Sequence, residues 1–422
     1  MTFENAYNWL LSLSSMPRKE YMDDPRKCGW YLKRLQFFLD ILENPEKKIP
    51  HYIHVTGTSG KGSTVSFLHS ILNVSGKKVA STYSPHPTTI LERWKVGNAY
   101  MTKREFVELI EFIKPKLDEY IRTTPYDMLS FFELTEAIGF VYFVRKKVEW
   151  CVLEVACGGR YDASNIIPYK DIAVITNIGL DHVGIIGNNK EEIAHEKAGI
   201  IKTGCEVFTS EKNKKILEVI ESECKKKKVK LHTHKSLPRQ EFNLKALGKH
   251  QIKNAELCFN IAKYLNIPEN KIKIGLRNAH QPLRMEVVSK NPTIILDGAH
   301  NHDKIKSTVE TVTQIFRPDK NNLHLILGFS ADKNISKMLK SLSTLKPKTI
   351  AVTKNTTNPF RKVADPQMIS KQLKKLLPKT KIEIFLDPKD ALEWSKKQSK
   401  KEDIILSTGS IFVSGELHLS KI

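Results

Sequence analysis

The sequence predicts an α/β protein: an N-terminal domain with a phosphate loop and a mostly parallel sheet, followed by a smaller α/β domain. Short apolar, β-rich runs alternate with helical stretches, as in sheets whose parallel strands are joined by helices. A glycine-rich loop joins one such run to a helix near the N-terminus. A second strand–helix series starts near Thr293, and 422 residues exceed one typical hydrophobic core.

The candidate strands are short and rich in β-branched residues. In chain order they are YIHVTG, KKVASTYS, WCVLEVA, DIAVITNI, TIILDGA, LHLILGF, KTIAVTK, IEIFL and DIILSTG. Phe67, Leu68, Ile71 and Leu72 have helical spacing, and Gly76 is placed to end that helix. The alternation favours a largely parallel sheet.

The segment AHQPLRMEVVSKNP carries Pro282 and Pro292 and suits a domain junction better than the middle of a core. We interpret the polar stretch near 205–245 as an insertion in the first domain. The predicted parts are an N-terminal domain, a junction and a Rossmann-like C-terminal domain, at residues 1–285, 286–292 and 293–422.

The charge balance is strongly basic, with 68 Lys and Arg against 46 Asp and Glu, a net charge of +22. Such a chain attracts polyanions, from nucleic acids to acidic small molecules. We find no RNA-recognition motif with interleaved aromatic residues and no zinc finger, so we expect no nucleic-acid partner. A basic ATPase stimulated by DNA or RNA is kept as a distant alternative.

We expect a cytoplasmic protein without a membrane partner. No apolar stretch approaches the 18 residues of a membrane span, and the N-terminus lacks a secretory pattern. The six cysteines form no CxxC pair and no metal spacing, which fits reduced thiols; they are Cys28, Cys151, Cys157, Cys205, Cys224 and Cys258.

Residues 57–64, GTSGKGST, form a candidate phosphate-binding loop between the strand at 52–55 and a helix from Ser63. Its glycines let several backbone N–H groups face one anion, and the helix N-terminus adds partial positive charge. Lys61 can supply a full charge to the β and γ phosphates. Gly62 separates Lys61 from Ser63, whereas the usual loop places Lys directly before Ser or Thr. We favour a nucleotide site over a plain glycine turn.

Charged side chains follow two further predicted strands. Glu154 lies in WCVLEVACGGR, and Asp181 and His182 follow AVITNI. Ligands of open parallel sheets gather at this edge, and a carboxylate with one imidazole suits Mg²⁺ better than zinc. The alternative for Glu154 is a paired core carboxylate. Lys197, near the end of a predicted helix, fits on sequence alone a solvated lysine stabilised by the helix dipole.

These residues resemble one family, the dihydrofolate synthase and folylpolyglutamate synthase branch of the Mur ligases. The matching stretches follow the family's order over residues 50–412: GTSGKGS, YSPH with Glu92 and Arg93, FFELTEA, LEVACGGRYDASN, ITNIGLDH, HEKAGI, KHQIKNA, LDGAH and STGS. Gly62 belongs to that branch's loop. The resemblance implies an ATP-dependent ligase that adds L-glutamate to dihydropteroate or to the tail of reduced folates through an acyl phosphate, releasing ADP and phosphate.

The resemblance implies two sets of residues for ATP and Mg²⁺. Asn254 would meet the adenine, Arg284 the phosphates and Asp297 the ribose side. The other nucleotide-binding residues would be Thr58, Ser59, Gly60, Lys61, Gly62 and Ser63. One Mg²⁺ would bind Ser84 and Glu154, and a second Glu154 and His182.

The remaining implied residues concern the acceptor and the chemistry. His300 and Ser410 would form a pair tied to Asp297, with Lys61 and Lys197 also catalytic. Lys197 matches a carbamylated lysine, a modification that needs the neutral amine and therefore burial. The pterin-bearing substrate would contact Ser130, Phe131, Phe132, Glu133, Tyr161, Asp162 and Ala163.

The sequence departs from the family pattern at four places. Ser59 stands where the loop often has Asn, and Cys157 where an aliphatic residue is common. PLRME replaces the usual PGR-type junction, and His302 replaces the proline of HNP. None of these changes removes a residue that the chemistry needs.

The sequence leaves the acceptor open. Both acceptors, tail extension alone, and another amino-acid ligase of the Mur group are compatible with the motifs, although the last should carry a UDP-binding domain before the phosphate loop. The family resemblance implies a monomer and allows a monovalent cation such as K⁺.

Overall fold

The computed structural model describes residues 1–15, 29–233, 242–318, 322–357 and 362–419. The chain divides into two compact units. The first comprises Met1–His86, Ile90–Leu244 and Lys253–Ala279, and the second comprises Pro87–Thr89, Lys245–Ile252 and His280–Ile422. Each unit is built around its own sheet.

The first unit contains an eight-stranded sheet in the order β4-β3-β2-β5-β1-β6-β7-β8 among the described residues. Its strands are β1 (His51–Thr56), β2 (Val79–Thr82), β3 (Trp94–Val96), β4 (Ala99–Tyr100), β5 (Trp150–Glu154), β6 (Ile172–Ile175), β7 (Glu206–Thr209) and β8 (Leu231–Thr233). All neighbours pair in parallel except β2 with β3 and β3 with β4. Because β1 and its neighbours run the same way, their carboxyl ends share one edge.

The helices of this part of the chain precede the first strand, lie between strands or follow the last one. They are α1 (Phe3–Ser12), α2 (Gly29–Ile41), α3 (Lys61–Val74), α4 (Lys103–Thr123), α5 (Phe131–Arg145), α6 (Lys190–Ala198), α7 (Lys214–Lys227), α8 (Lys249–Tyr264) and α9 (Glu269–Asn278). The α8 helix begins in a segment of the second unit and ends in the first. Gly76 follows α3 with a φ of +92°, which ends that helix where the sequence predicted.

The described residues of the second unit contain a six-stranded sheet in the order β13-β12-β11-β14-β10-β9. Its strands are β9 (Glu286–Lys290), β10 (Thr293–Leu296), β11 (Leu323–Leu327), β12 (Thr349–Val352), β13 (Lys381–Ile384) and β14 (Ile404–Thr408). Among the described strands, the edge strand β9 pairs antiparallel with β10, and the other neighbours pair in parallel. The helices are α10 (His302–Thr311), α11 (Ile335–Ser343), α12 (Pro366–Leu376), α13 (Pro388–Gln398) and α14 (Ile411–Leu419).

The second sheet is buried on both faces. On β14, Ile404 and Leu406 enter one apolar cluster, whereas Ile405 enters another. Successive side chains of a strand point to opposite faces, so helices cover both sides of this sheet. The predicted α/β class with mostly parallel sheets is confirmed.

Two details of the sequence analysis differ from the structure. The interpretation of 205–245 as an insertion is wrong for the part that forms β7, α7 and β8, because these elements extend the main sheet. Residues 286–290, inside the predicted junction, form β9 of the second sheet. In the described portion of the chain, no helix is both long and apolar enough to cross a membrane.

Candidate functional site

The phosphate loop lies between β1 and α3. Gly57 and Gly60 have φ values of +143° and +85°, which L side chains rarely adopt. A β-carbon at Gly57 would lie 1.8 Å from Thr176 Oγ1, and one at Gly60 would lie 2.6 Å from Asn254 Oδ1. Gly60 is also the N-cap of α3 and supplies no side-chain cap. Glycine at these two positions therefore allows the tight turn and leaves the first N–H groups of α3 without a side-chain acceptor.

The donors of this loop fit a phosphate. Lys61, the first residue of α3, donates from Nζ to Gly57 O at 3.0 Å. Ser59 Oγ is buried and has no hydrogen-bond partner within the described residues. Its backbone N–H is held by Asn177 Oδ1 at 2.9 Å. A buried hydroxyl without a partner is costly unless a ligand supplies the acceptor, so these groups suit the oxygens of a nucleotide.

Ser84 and Glu154 are brought together at the ends of the neighbouring strands β2 and β5. Glu154 is the last residue of β5 and is only 6% exposed. Its Oε2 accepts a hydrogen bond from Ser84 N at 3.1 Å. The described residues contain no group of three or more His, Cys, Asp or Glu side chains able to hold a metal. A single buried carboxylate beside a serine suits Mg²⁺, which keeps waters and binds substrate phosphates, rather than zinc.

His182 lies on the loop that follows β6. Its φ is +51°, an uncommon value for a residue other than glycine. The negative charge of the neighbouring Asp181 favours the protonated form of Lys197. The Asp181 carboxylate is therefore within electrostatic range of this lysine. The loop therefore brings a carboxylate toward Lys197 and holds His182 in a defined backbone conformation.

Lys197 is a buried residue near the end of α6, with an exposed fraction of 3%. Burial, followed by the positive charge of Lys61, lowers the pKa of Lys197 to about 8. The charges of Cys157, Asp181 and Asp162 oppose this shift. About a tenth of the amine is then neutral at pH 7, far more than for a free lysine. The alternative of a solvated lysine does not apply, because the side chain is inside the protein.

Gly158 and Gly159 allow the loop after β5 to pack on α6. Gly158 has a φ of +67°, and a β-carbon at Gly159 would lie 2.8 Å from Lys197 O. At Gly199 an added β-carbon would lie 2.3 Å from Arg160 Cβ. The backbone of this loop therefore lies close to the end of the helix that carries Lys197.

Asp162 organises this same loop. Its Oδ2 accepts from the backbone N–H groups of Ala156 and Cys157 at 3.1 and 2.9 Å. Its Oδ1 accepts from the N–H and the hydroxyl of Ser164. Burial raises the pKa of Asp162 and these donors oppose that shift. The carboxylate is fully engaged within the chain, so Tyr161 and Ala163 are better placed than Asp162 to meet a substrate.

Ser130 and Glu133 form the capping box of α5. Ser130 Oγ accepts from Glu133 N, and Glu133 accepts from Ser130 N. Glu133 also binds the buried Arg34 through two bonds of 3.0 and 2.7 Å, and Arg34 reaches Asp127 at 2.9 Å. Both predicted substrate residues therefore serve the start of the helix in this structure.

Arg93 was overlooked as a site residue, although it belongs to the matched YSPH–ER stretch. Its guanidinium lies 5.6 Å from the ring of Phe131 and 5.4 Å from that of Phe132. Its Nε donates to His86 Nδ1 at 3.0 Å. Phe132 remains 43% exposed, so the cation holds an aromatic ring that can contact a planar ligand. The signal in the sequence was the position of Arg93 in the matched stretch, between Glu92 and Trp94.

In the second unit, Asp297 and His300 follow β10. Asp297 accepts from Met285 N at 3.3 Å, Ala299 N at 3.3 Å, Thr308 Oγ1 at 2.7 Å and Thr408 Oγ1 at 3.3 Å. His300 Nδ1 bonds to Gly298 O at 2.9 Å, and Lys304 Nζ lies 3.1 Å from Nε2. Burial and the charge of Lys304 hold the pKa of His300 well below its usual range, so the imidazole is neutral.

Arg284 and Ser410 lie near these residues within the second unit. Arg284 stands between Leu283 and Met285, whose φ values are +59° and +52°. A β-carbon at Gly298 would lie 2.9 Å from Arg284 Nη1. Ser410 is buried after β14, where Gly409 N donates to Ala299 O at 2.9 Å. The ends of β10 and β14 thus gather the four predicted residues of this unit.

Comparison with known proteins gives a consistent result. Residues 55–206 match the Mur ligase middle domain, and residues 283–411 match the Mur ligase glutamate ligase domain. The dihydrofolate synthase/folylpolyglutamate synthase of Bacillus subtilis (strain 168) is 35% identical over 345 residues, which cover 74% of this chain and 79% of the relative.

Two solved structures share the architecture. The folylpolyglutamate synthase of Thermotoga maritima has a TM-score of 0.80 and 29% identity, covering 98% of this chain and 95% of that chain. The Mycobacterium tuberculosis folylpolyglutamate synthase complexed with ADP and AMPPCP has a TM-score of 0.85 and 24% identity, covering 93% and 95%, and supports the fold. The resemblance found in the motifs is confirmed: the chain belongs to the Mur ligase family, in its dihydrofolate synthase/folylpolyglutamate synthase branch.

Proposed function

We propose that this chain is an ATP-dependent ligase that adds L-glutamate to dihydropteroate, to the glutamate tail of reduced folates, or to both. The observation that carries the proposal is the phosphate loop together with the buried Lys197, in a chain of this family. Burial and then the charge of Lys61 in that loop lower the pKa of Lys197. The relatives named above carry this activity in their names. We further propose an ATP-binding domain at 1–285 and a glutamate-ligase domain at 293–422.

The reaction joins a carboxylate to an amine, and a carboxylate alone is a poor electrophile. Transfer of the γ-phosphoryl group gives an acyl phosphate and ADP; the glutamate amine then attacks the acyl carbon and phosphate leaves. The N–H groups at the start of α3, together with Lys61 and Ser59, would hold the nucleotide phosphates and stabilise the charge that moves during transfer. Thr58, Gly60, Gly62 and Ser63 complete this loop.

We assign the metal role to residues at the ends of β2, β5 and β6. Ser84 and Glu154 would hold one Mg²⁺, and Glu154 with His182 a second. When bound, Mg²⁺ would neutralise charge on the phosphate oxygens. The backbone N–H of Ser84 fixes one carboxylate oxygen of Glu154, so the chain itself orients this side chain. A K⁺ requirement, a monomeric state and a cytoplasmic location stay predictions.

The other predicted roles follow the positions of the residues. Phe131, Phe132, Tyr161 and Ala163 would line the pterin-bearing acceptor, with Ser130, Glu133 and Asp162 shaping that site from within. Asn254 would contact the adenine. In the second unit, Arg284 and Asp297 would contact the nucleotide, and the neutral His300 with Ser410 would assist the glutamate step.

Lys197 is proposed to be carbamylated. The neutral Nζ forms a bond to the carbon of CO₂ and releases one proton, which leaves an anionic carbamate. The lowered pKa supplies the neutral amine that this step needs. Removing CO₂ during purification should lower turnover, and bicarbonate should restore it in the wild type but not in Lys197→Ala. Normal turnover of Lys197→Ala without bicarbonate would contradict this role.

The acceptor is identified by mass measurement of the product. We would incubate the protein with Mg-ATP, L-glutamate and either dihydropteroate or tetrahydrofolate, and look for one added glutamate. Products from both acceptors would establish the bifunctional enzyme, whereas a product from tetrahydrofolate alone would restrict it to tail extension. Absence of product from both, with folded and ATP-binding protein, would overturn the folate assignment.

A further inference from the structure

A line of buried hydrogen bonds crosses the first unit from Lys170 to Asp162. Lys170 Nζ lies 2.7 Å from His54 Nδ1, and His54 Nε2 lies 2.8 Å from Ser164 Oγ. Ser164 Oγ in turn donates to Asp162 Oδ1. His54 and Ser164 are 0% exposed, Lys170 is 3% and Asp162 is 8% exposed. Four polar side chains are thus joined away from solvent.

The donors and acceptors of this line have one consistent direction. Ser164 Oγ donates its proton to Asp162 Oδ1, so in its contact with His54 the hydroxyl accepts and Nε2 donates. Nδ1 of the neutral ring then accepts from Lys170 Nζ, which also donates to Asn165 Oδ1. His54 then carries its proton on Nε2 and donates to Ser164, whose hydroxyl donates to the carboxylate. Burial and the charges of Lys170 and Lys202 hold the pKa of His54 well below its usual range, which keeps the ring neutral. Each of the three hydrogen bonds in the line therefore has one donor and one acceptor.

The line ends on the loop that supports the candidate site. Asp162 Oδ2 holds the N–H groups of Ala156 and Cys157, which lie two and three residues after Glu154. Gly159 of the same loop packs on the carbonyl oxygen of Lys197. At its other side, His54 belongs to β1, the strand that leads into the phosphate loop. The line therefore joins β1 to the loop between Glu154 and the support of Lys197.

We propose that His54, Ser164 and Lys170 are positioning residues that hold Asp162, and through it the loop at 155–163, in the arrangement that the ligase reaction requires. This inference rests on the proposed function. None of the three is assigned a contact with substrate; they act through Asp162. We expect the loss of one of these hydrogen bonds to change the geometry around Glu154 and Lys197. Turnover should then fall more than the affinity for ATP.

Ser164 offers the sharpest test because one hydroxyl can be removed or kept. Ser164→Ala deletes both the acceptor of His54 and the donor to Asp162, whereas Ser164→Thr keeps the hydroxyl. We expect Ser164→Ala to lower kcat about 10–100-fold, the usual effect of losing a residue that orients a site ligand, with KM for ATP near the wild-type value. Ser164→Thr should retain most of kcat. Lys170→Met provides a second cut if Ser164→Ala fails to fold.

A matched control is His324 in the second unit. It is also a fully buried histidine between two polar partners, Thr349 Oγ1 at 2.8 Å and Asp403 Oδ2 at 3.1 Å. His324→Gln should lower Tm without changing kcat. Nitrogen-15 NMR of the histidine rings gives a second readout: the His54 signal, identified by its loss in His54→Gln, should show the Nε2–H form and shift in Ser164→Ala.

The outcomes separate the two proposals. A wild-type protein without glutamate-dependent turnover on either acceptor would overturn the proposed function. An active wild type, with Ser164→Ala and Lys170→Met folded and equal to it in kcat, would overturn the positioning role alone. The positioning role would be supported if kcat falls in Ser164→Ala and Lys170→Met, stays high in Ser164→Thr, and equals the wild-type kcat in His324→Gln.

Discussion

Gly159 packs directly against the carbonyl oxygen of Lys197: a β-carbon on this glycine would lie 2.8 Å from that oxygen. Real β-carbons essentially never approach another atom so closely, and the atom in the way is backbone that cannot rotate aside. The loop after β5 and the end of α6 are thereby fixed together, which explains how a residue on a distant helix is held near Lys61.

Gly159→Ala should therefore impair turnover more than folding. The loop or the end of α6 must move, and we expect kcat to fall at least about tenfold, because small displacements of catalytic groups are costly. Gly29→Ala is the control, since its β-carbon would meet nothing within 4 Å. Steady-state kinetics of both variants test this, and wild-type kcat in Gly159→Ala would contradict it.

The lowered pKa of Lys197 predicts how stability changes with pH. Between about pH 8 and 10.5 the unfolded chain holds the Lys197 proton while the folded chain has lost it. The unfolded state then binds more protons, so this group makes stability rise with pH through that window. Urea unfolding of CO₂-free protein at pH 7 and pH 10 should show the rise in wild type relative to Lys197→Met. An equal pH dependence in both proteins would refute the shift.

The buried ion pair of Arg34 and Glu133 should contribute strongly to the stability of the first unit. Removing Arg34 leaves the buried carboxylate of Glu133 without this cationic partner, so Arg34→Ala should cost about 3–5 kcal/mol of the free energy of unfolding. Arg104→Ala is the control: its pair with Glu108 involves an arginine side chain that is 89% exposed, so its loss should change the free energy of unfolding little. Urea unfolding of both variants gives the comparison; similar losses would contradict the account.

Leu283 combines backbone strain with burial. Its φ of +59° suits glycine, the residue usual at this position in the family, yet its side chain is 0% exposed and belongs to an apolar cluster. Leu283→Gly relieves about 1–2 kcal/mol of strain but forfeits a buried leucine, worth about 2–5 kcal/mol. We expect net destabilisation and a lower Tm. A higher Tm would mean that strain outweighs packing here.

Strand–helix alternation and glycine placement were enough to predict the fold class and most central strands. The short strands β7 and β8 were missed because their polar surroundings and the nearby lysine run hid the β signal; β8 has no fully buried residue. The pattern Ser-x-x-Glu at 130–133 is a known capping signature, and the structure contains both hydrogen bonds of that cap. These local hydrogen bonds orient the side chains of Ser130 and Glu133.

Positions at strand ends were predictable for a physical reason. Parallel strands bring their carboxyl ends to one edge, so Ser84 and Glu154 meet although 70 residues separate them. The burial of Lys197 and the four bonds of Asp162 could not be predicted, because both depend on how the loop after β5 packs on α6. Long-range packing of this kind leaves no periodic trace in a sequence.

The most direct test of the account is the rate of ADP release with each substrate omitted in turn. At saturating Mg-ATP, we expect release to require both L-glutamate and a folate acceptor, with one ADP formed per glutamate added. The same reactions should be insensitive to DNA and RNA. ADP release that is independent of glutamate, or that nucleic acid stimulates, would contradict the ligase function and favour a different phosphate-loop enzyme.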